Sequence, residues 1–505
     1  MMTKTLLLAS SCLLGVLAFS LAQCSSDSDN PSGPPPVPKE CEDEPNKKPT
    51  CTTDELGVFV SPLGKDDGAG TRTAPVKSLA KALEKSGNKP FIYLCEGNYP
   101  EALTIARGMG VYGGLSCDGS WNYTGGATNV VPPSGTALTI ANAANPVIVA
   151  DISFTSVNAS TPSGSSIGAW FVQSNAVTLR RVNITAGAGA DANAEPPTLA
   201  ALAPPAAPKG NDADGGGPGP EQRNTCEGLA APSDQSVGAS GGGRNEDGGA
   251  GAPVLPPKPE ANTGAGGDTH SSCPQGAGVA GAFGAGGEAS PEGGPFGFLT
   301  ATGYVPADGT PGRNGATAQG GGGGAGRGGS TAFGGGGGAG GCGGKGGAGG
   351  HAGGSSIALL VFRTPVTLTG SKLHAGKGGL GGPGGGGQMA QQGGAEGKGN
   401  SALSGSGCAG AMGGHGGGGA GGNGGAGGSS IDFAYAGTAP TIDGSQIGAA
   451  DSFANQGWTL SPSVSAGGAA GAPGAKVVAA SEAGQAGRAG AAGKIQAVTP
   501  LLEGR

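Results

Sequence analysis

Aromatic residues make up only 4% of this 505-residue chain and charged residues only 12%. Nowhere do basic residues alternate with aromatics, and the net charge is −7, so the footprint of a nucleic-acid binder is missing and nucleic acid is excluded as a partner. No two cysteines stand as Cys-x-x-Cys, which leaves zinc and thioredoxin-type chemistry without support. After residue 23 no apolar run is long enough to cross a bilayer as a helix. The glycine-rich tracts lack the recurring aspartate of calcium-loaded GGxGxD repeats and the strict Gly-X-Y period of collagen. With these absences, no cofactor and no metal site are expected.

What is abundant is glycine, 114 residues of it. Tracts built from it have little apolar surface with which to offset the entropy of ordering their backbone. The expected core is therefore confined to 57–185 and two later stretches, and these are related. Residues 165–187 read SSIGAWFVQSNAVTLRRVNITAG, 355–376 read SSIALLVFRTPVTLTGSKLHAG, and 429–449 begin SSIDFAYAGTAPTIDGSQIG. An earlier copy without the Ser-Ser-Ile opening runs from Gly135 into PVIVADISFTS. Aligned, Val147, Val177, Val366 and Pro440 share one column, and Phe154, Ile184, Leu373 and Ile447 another. Alternating apolar residues rich in Val, Ile, Leu and Thr predict short strands with one buried face. Val177 follows Val147 by 30 residues, too few to bury a face alone, so the units must stack as a solenoid. The expectation is an all-β parallel β-helix interrupted by glycine-rich insertions of roughly 160 and 44 residues. Both insertions leave at the same column, after Ala186-Gly187 and Ala375-Gly376, and so belong to one edge.

In order, residues 1–23 carry Lys4 and a short apolar stretch, the pattern of a signal peptide. Leu21-Ala22-Gln23-Cys24 resembles a bacterial lipobox, which implies lipidation of Cys24, membrane attachment through it, and outer-membrane or cell-surface placement with Ser25 following. Gln23 stands where a small residue is usual, and cleavage after Ala22 would secrete the chain instead. Residues 24–56, rich in Pro and acidic residues, read as an extended, poorly folded tether. Within 57–185, a strand at 56–60 and a turn holding Asp66-Asp67 precede PVKSLAKALEKSG, a capping helix opened by Pro75 and closed by Gly87. Its expected apolar face is Val76, Leu79, Ala80 and Leu83. The first coils lead to insertion 1 (186–354), a coil (355–375), insertion 2 (376–428), a coil (429–449) and a Gly/Ala-rich tail (450–505) in which Phe453, Trp458 and Leu460 are candidate last packing contacts. The insertions read either as packed extended glycine helices or as flexible chain.

GVFVSPLGKDDGAGTRTAPVKSLAKALE, IYLCEGNYPEALTI and GVYGG together resemble the start of right-handed β-helix proteins of the pectin-lyase-like superfamily. The resemblance covers 57–185 and implies the fold and its hand; the superfamily holds lyases, hydrolases and non-catalytic surface proteins alike. Lipobox, proline tether and glycine-rich insertions are also similar to predicted surface lipoproteins of myxobacteria-like Gram-negative bacteria.

Candidate sites are few. Of the ten cysteines, Cys12 goes with the signal and Cys24 with the lipid, leaving Cys41, Cys51, Cys95, Cys117, Cys226, Cys273, Cys342 and Cys408 as disulfide candidates in an exported chain. Cys95 and Cys117 follow equivalent strand ends nearly one coil apart, within bonding reach; Cys342 and Cys408 would join the two insertions. Gly164-Ser165-Ser166-Ile167-Gly168 matches a nucleophile elbow but opens a strand, not the required turn into a helix. His270, His351 and His415 lie in glycine tracts and are expected to be solvated. A lyase would need acids and a basic residue on the outer face. Asp151, Arg181 and Gly370 share one column, Arg180, Thr369 and Asp443 the next, with Lys372 and His374 nearby, and a solvated strand face explains them. Trp121, Tyr123, Trp170 and Tyr435 form no stripe for glycan stacking. No catalytic residue is assigned. The expected role is a non-enzymatic surface lipoprotein displaying its glycine-rich loops for adhesion, coating or matrix contact. The alternative is a β-helix that binds or degrades polysaccharide, and an extracellular polysaccharide or another surface protein is the partner left open.

Overall fold

The computed structural model describes residues 36–447 apart from 197, 203–204, 228–233, 254–263, 271, 274, 292–293, 295–296, 329–330 and 403–404, together with 466, 472 and 482–503. Residues 1–35, with the expected signal and Cys24, and Phe453, Trp458 and Leu460 of the tail lie outside these.

The described chain is nearly all β, and its strands return in turn to three parallel sheets. The first sheet contains Phe91–Cys95, Met109–Leu115, Val147–Ala150, Val177–Arg180 and Val366–Thr369; the second Gly97–Tyr99, Thr128–Val130, Ser153–Thr155, Asn183–Thr185 and Lys372–His374. The third runs from Leu103–Ile105 and Leu138–Ala141 through Ser166–Val172, Ser356–Phe362 and Ser430–Ala436 to Ile495–Pro500. Pairing follows the sequence columns: Val177 is partnered by Val147 on one side and Val366 on the other, and Ile184 by Phe154 and Leu373. An insertion therefore separates neighbours in sequence without disturbing their register. Val149, Leu179, Leu368, Phe154, Ile184, Leu359 and Phe433 meet inside in one apolar cluster. At the corner after the third sheet, Asn142, Gln173 and Arg363 hold φ of 55°, 47° and 48°. This left-handed region disfavours side chains. Each is held there by its N–H, which bonds the next coil at Val172 O, Phe362 O and Ala436 O.

The helix is shorter than its sequence suggests. It spans Leu79–Ser86 with Ser78 as N-cap and Gly87 as C-cap, four residues later than Pro75. Val76 is taken first: its N–H donates to Phe59 O and its carbonyl accepts from Ser61, which makes it a strand residue beside Val60. Asp66 then accepts the Ser78 N–H at 2.8 Å and Glu101 the Leu79 N–H at 2.7 Å. Leu79 and Ala82 are the buried positions, and Ala80 is exposed.

The glycine-rich tracts are not loose, and the expectation that the ordered interior ends with the coils is corrected. They run as extended parallel and antiparallel lanes, out from the second sheet and back into the third. The lane 407–428 shows how they cohere. Gly416, Gly419, Gly422, Gly425 and Gly428 donate to a lane at 379–391, Gly417, Ala420, Asn423 and Ala426 to one at 307–316, and Gly418, Gly421, Gly424 and Gly427 to one at 482–491, at 2.8–3.3 Å. Three residues per turn is the period of an extended left-handed helix, so successive N–H groups point to three different neighbours. Glycine is required because the lanes touch backbone to backbone: a Cβ on Gly422 would lie 2.0 Å from Ala348 O. At about 3.1 Å per residue the stretch from Gly379 to Gly397 runs roughly 55 Å. The tail joins the array too. Residues 482–494 form a lane and continue into the strand Ile495–Pro500, so the chain returns to the third sheet once more than the sequence pattern suggests.

Gly422→Ala is expected to destabilise the array by about 1–3 kcal/mol, the usual range for overpacking. Gly386→Ala, whose Cβ would have no neighbour nearer than 3.8 Å among the described residues, should be close to neutral. Thermal unfolding with hydrogen exchange read on the lanes distinguishes the two.

Candidate functional site

Part of the expected tether is folded. Pro45–Lys47 forms a short 3-10 turn, and the Cys41–Cys51 disulfide closes the loop around it. The loop lies as a clasp on the outer face of the first sheet. Asn46, 1% exposed, reaches between coils to donate to Gly113 O at 3.1 Å and Asp151 Oδ2 at 2.8 Å. Tyr123 donates its hydroxyl to Asp151 Oδ1 at 2.9 Å, and Arg181 clamps the same carboxylate through Nε at 2.7 Å and Nη2 at 2.9 Å. From the clasp, Glu44 pairs with Arg181 at 2.6 Å and with Lys47 at 2.9 Å, and Asp43 pairs with Arg180.

Asp151 is thus covered, against the expectation of a solvated face, and Arg181 is half-covered, whereas Lys372, His374 and Asp443 are exposed as expected. Burial alone would raise the Asp151 carboxyl, but the bonds from Arg181, Asn46 and Tyr123 outweigh it and hold the group below the usual carboxylate range. Hydrogen bonding to Asp151 holds the Arg181 guanidinium more firmly protonated, against its partial burial. A general base needs a free lone pair and a pKa near the working pH. Asp151 has four donated hydrogen bonds and a depressed pKa. The arrangement is a staple across three coils.

Two open grooves lie near this face. One, about 820 Å³, is bounded by Val37 and Glu42 of the clasp and by Arg107, Met109, Tyr112 and Ile148. Arg107 there is already committed to Ser86 Oγ at 2.9 Å and Lys89 O at 3.1 Å. The other, about 560 Å³, follows the corner between the second and third sheets past Thr136, Asn158, Thr161 and Ser165. Outside the second sheet, Asn129 donates to Asn98 at 3.0 Å and Asn183 to Ser153 at 3.3 Å, with Lys372 next in register and His374 two residues on.

The remaining candidates separate cleanly. Ser166 Oγ is engaged by Ser156 Oγ and Val157 O, and Ser165 Oγ accepts the Ser355 N–H, so neither serine faces a base. Trp121 is buried with Nε1 donating to Arg72 O, and Tyr435 is buried in the core. His270 and His351 are exposed, but His415 is buried, against expectation. Among the described residues no group of acids, histidines and cysteines could hold a metal ion.

The cysteines pair as Cys41–Cys51, Cys95–Cys117, Cys226–Cys342 and Cys273–Cys408. The second is the pair that coil spacing suggests. Cys342 and Cys408 do not join each other. Their lanes run parallel with Gly335 donating to Cys408 O, which puts Cys342 seven residues further along, about 22 Å at this rise.

Sequence reasoning missed Asn46 and Asp432. Asp432 stands in register with Gly168 and Ala358, facing inward, and a carboxylate in an otherwise small apolar column was the available signal. It is 2% exposed; Oδ1 accepts the Ala375 N–H at 2.8 Å and Oδ2 has no partner. Burial pushes its carboxyl up to about 7.

No family model matches the chain, and no curated protein does. Among solved structures it is similar to a GH136 lacto-N-biosidase from Eubacterium ramulus, at 17% identity over 27% of each chain and a TM-score of 0.20. The chain therefore spans about a quarter of that protein's length, and a likeness of this extent carries no argument about fold or activity.

Two outcomes are expected from this geometry. Arg181→Ala should destabilise by about 2 kcal/mol, less than the roughly 3–5 kcal/mol of a fully buried pair because Arg181 is 36% exposed; denaturant unfolding at neutral pH measures it. For Asp432 the folded chain keeps a proton that the unfolded chain releases, so stability falls as pH rises from about 4 to about 7. Asp432→Asn should remove that slope in unfolding midpoints measured across the window.

Proposed function

We propose that the chain is a non-enzymatic surface scaffold: a right-handed parallel β-helix, anchored through a lipidated Cys24 at the outer membrane, that holds out a glycine array for adhesion, coating or matrix contact. The observation that carries this reading is the full engagement of Asp151 beneath the clasp. The one place where the coil columns gather an acid with arginines is spent on fastening coils together, and no lone pair of Asp151 is left for chemistry. The array, by contrast, extends far from the coils and is built from backbone, which suits a stiff projection better than a reaction site. Secretion without the anchor is the alternative placement.

A second reading, polysaccharide binding, is favoured by the groove of about 820 Å³ and the amide ladder Asn98–Asn129. The test is a binding screen of the purified mature chain against polysaccharides and envelope fractions, with release of sugars assayed in the same wells. Retention on envelope fractions without sugar release is the expected result. Shortened or unsaturated sugars would overturn the non-enzymatic reading, and saturable binding to one polysaccharide would move the assignment to the groove. Metabolic labelling with a fatty acid, lost in Cys24→Ser, checks the anchor.

A further inference from the structure

In the lane 376–400, N–H groups a whole number of three-residue turns apart face the same side. Gly381 gives its N–H to Ala466 O and Gly387 to Ala472 O. Gly393, further along that series, gives it to a side chain: Nδ1 of His415, at 3.0 Å. The imidazole stands where a further backbone carbonyl would be. It is 7% exposed and stacked on Phe283 of the lane 276–290, with ring centroids 5.2 Å apart and planes at 21°. The His415 carbonyl in turn accepts the Gly284 N–H. The ring thus adds a side-chain contact to both lanes between the flanking backbone bonds from Gly413 to Gly394 O and from Gly416 to Gln391 O.

We propose that His415 is an acid-sensitive latch of the glycine array, its neutral ring holding 388–397 and 276–290 to 407–428 and its protonation releasing them. A ring nitrogen can accept an N–H only while it carries no proton. Protonation turns the acceptor at Gly393 into a donor facing a donor and leaves a buried cation. The charged groups on the lanes packed against it are Lys377, Glu396 and Lys398, Glu288, Asp308 and Arg313, Lys345, and Glu482 and Arg488. Glu288 is paired with Arg313, and Glu482 accepts the Gly286 N–H. Burial depresses the His415 pKa below the ordinary histidine value, with no neighbouring charge among the causes. The sign follows: the folded chain binds fewer protons than the unfolded one below about pH 6.5, so the latch is closed above that pH and weakens as pH falls through the depressed value.

The experiment uses the full mature chain, with its histidine ring resonances followed by NMR and backbone exchange read at 388–397 between about pH 7.5 and about pH 5. His415 should titrate below the ordinary histidine value. Once corrected for intrinsic rates, exchange at 388–397 should rise by up to about tenfold per pH unit between about pH 6.5 and that titration point and level off below it. His415→Gln, whose amide oxygen accepts from Gly393 at any pH, should lose the response, and His351→Gln should keep it. Titration of His415 at or above the ordinary histidine value, or an undiminished acid response in His415→Gln, would overturn the proposal. If His415→Gln does not fold, the titration of the unaltered chain decides.

Discussion

Each buried peptide N–H in this protein needs an acceptor, and the chain has few large side chains with which to arrange one. The structure meets that demand with main chain in two geometries. In the coils the strands pair edge to edge, and apolar columns such as Val149, Leu179 and Leu368 fill the inside. In the array the lanes pair around an axis, three neighbours per turn, and little inside needs filling because the backbones touch. The two geometries join at one corner. The lanes arrive at Ser356 and Ser430 already parallel to the strands they become, so ladder and array continue each other.

Polar side chains serve the same demand wherever a lane has no backbone partner. Gln388 Oε1 accepts the Lys345 N–H at 2.9 Å, Gln391 Oε1 that of Cys342 at 3.1 Å, Gln319 Oε1 that of Ala282 at 3.2 Å, and Asn423 Oδ1 that of Arg488 at 2.8 Å. Asn46 works in the opposite sense on the first sheet, its Nδ2 donating to Gly113 O and Asp151 Oδ2. Buried amides that would be liabilities if unpaired act here as substitute peptide groups. Asp432 Oδ2, at the root of the second insertion, is left without a partner, as are Asn46 Oδ1 and Arg327 Nε and Nη2.

The parallel strands and their register were legible in the sequence because side chains record them. Period-two runs gave the strands, the recurring Ser-Ser-Ile gave the third sheet, and the shared exit after Ala186 and Ala375 placed both insertions on one corner. The array was legible only as two open alternatives, since its contacts are between main-chain atoms and glycine triplets record no partner. The cysteine pairing failed for the same reason: which Cys meets which depends on the offset between lanes, and no side-chain pattern carries that offset. The last strand, Ile495–Pro500, was lost inside a Gly/Ala-rich tail because Lys494-Ile495-Gln496 lacks the Ser-Ser opening. For the candidate site, the shared column of Asp151 and Arg181 could be read, but the clasp over it could not, since a Pro-rich acidic stretch reads as solvated until a disulfide folds it.

The threefold character of the lanes also bears on how such a chain can change length. Adding or removing one or two residues within a lane would turn every later N–H toward the wrong neighbour and bring side chains into backbone contacts. Three residues, by contrast, make one full turn and return each position to its former facing. A lane can then be lengthened like a ruler extended by whole divisions, provided its neighbours grow with it, while the coils keep their register beneath. The height to which the array rises is therefore a quantity that triplet insertions and deletions can adjust without redesigning the body that carries it.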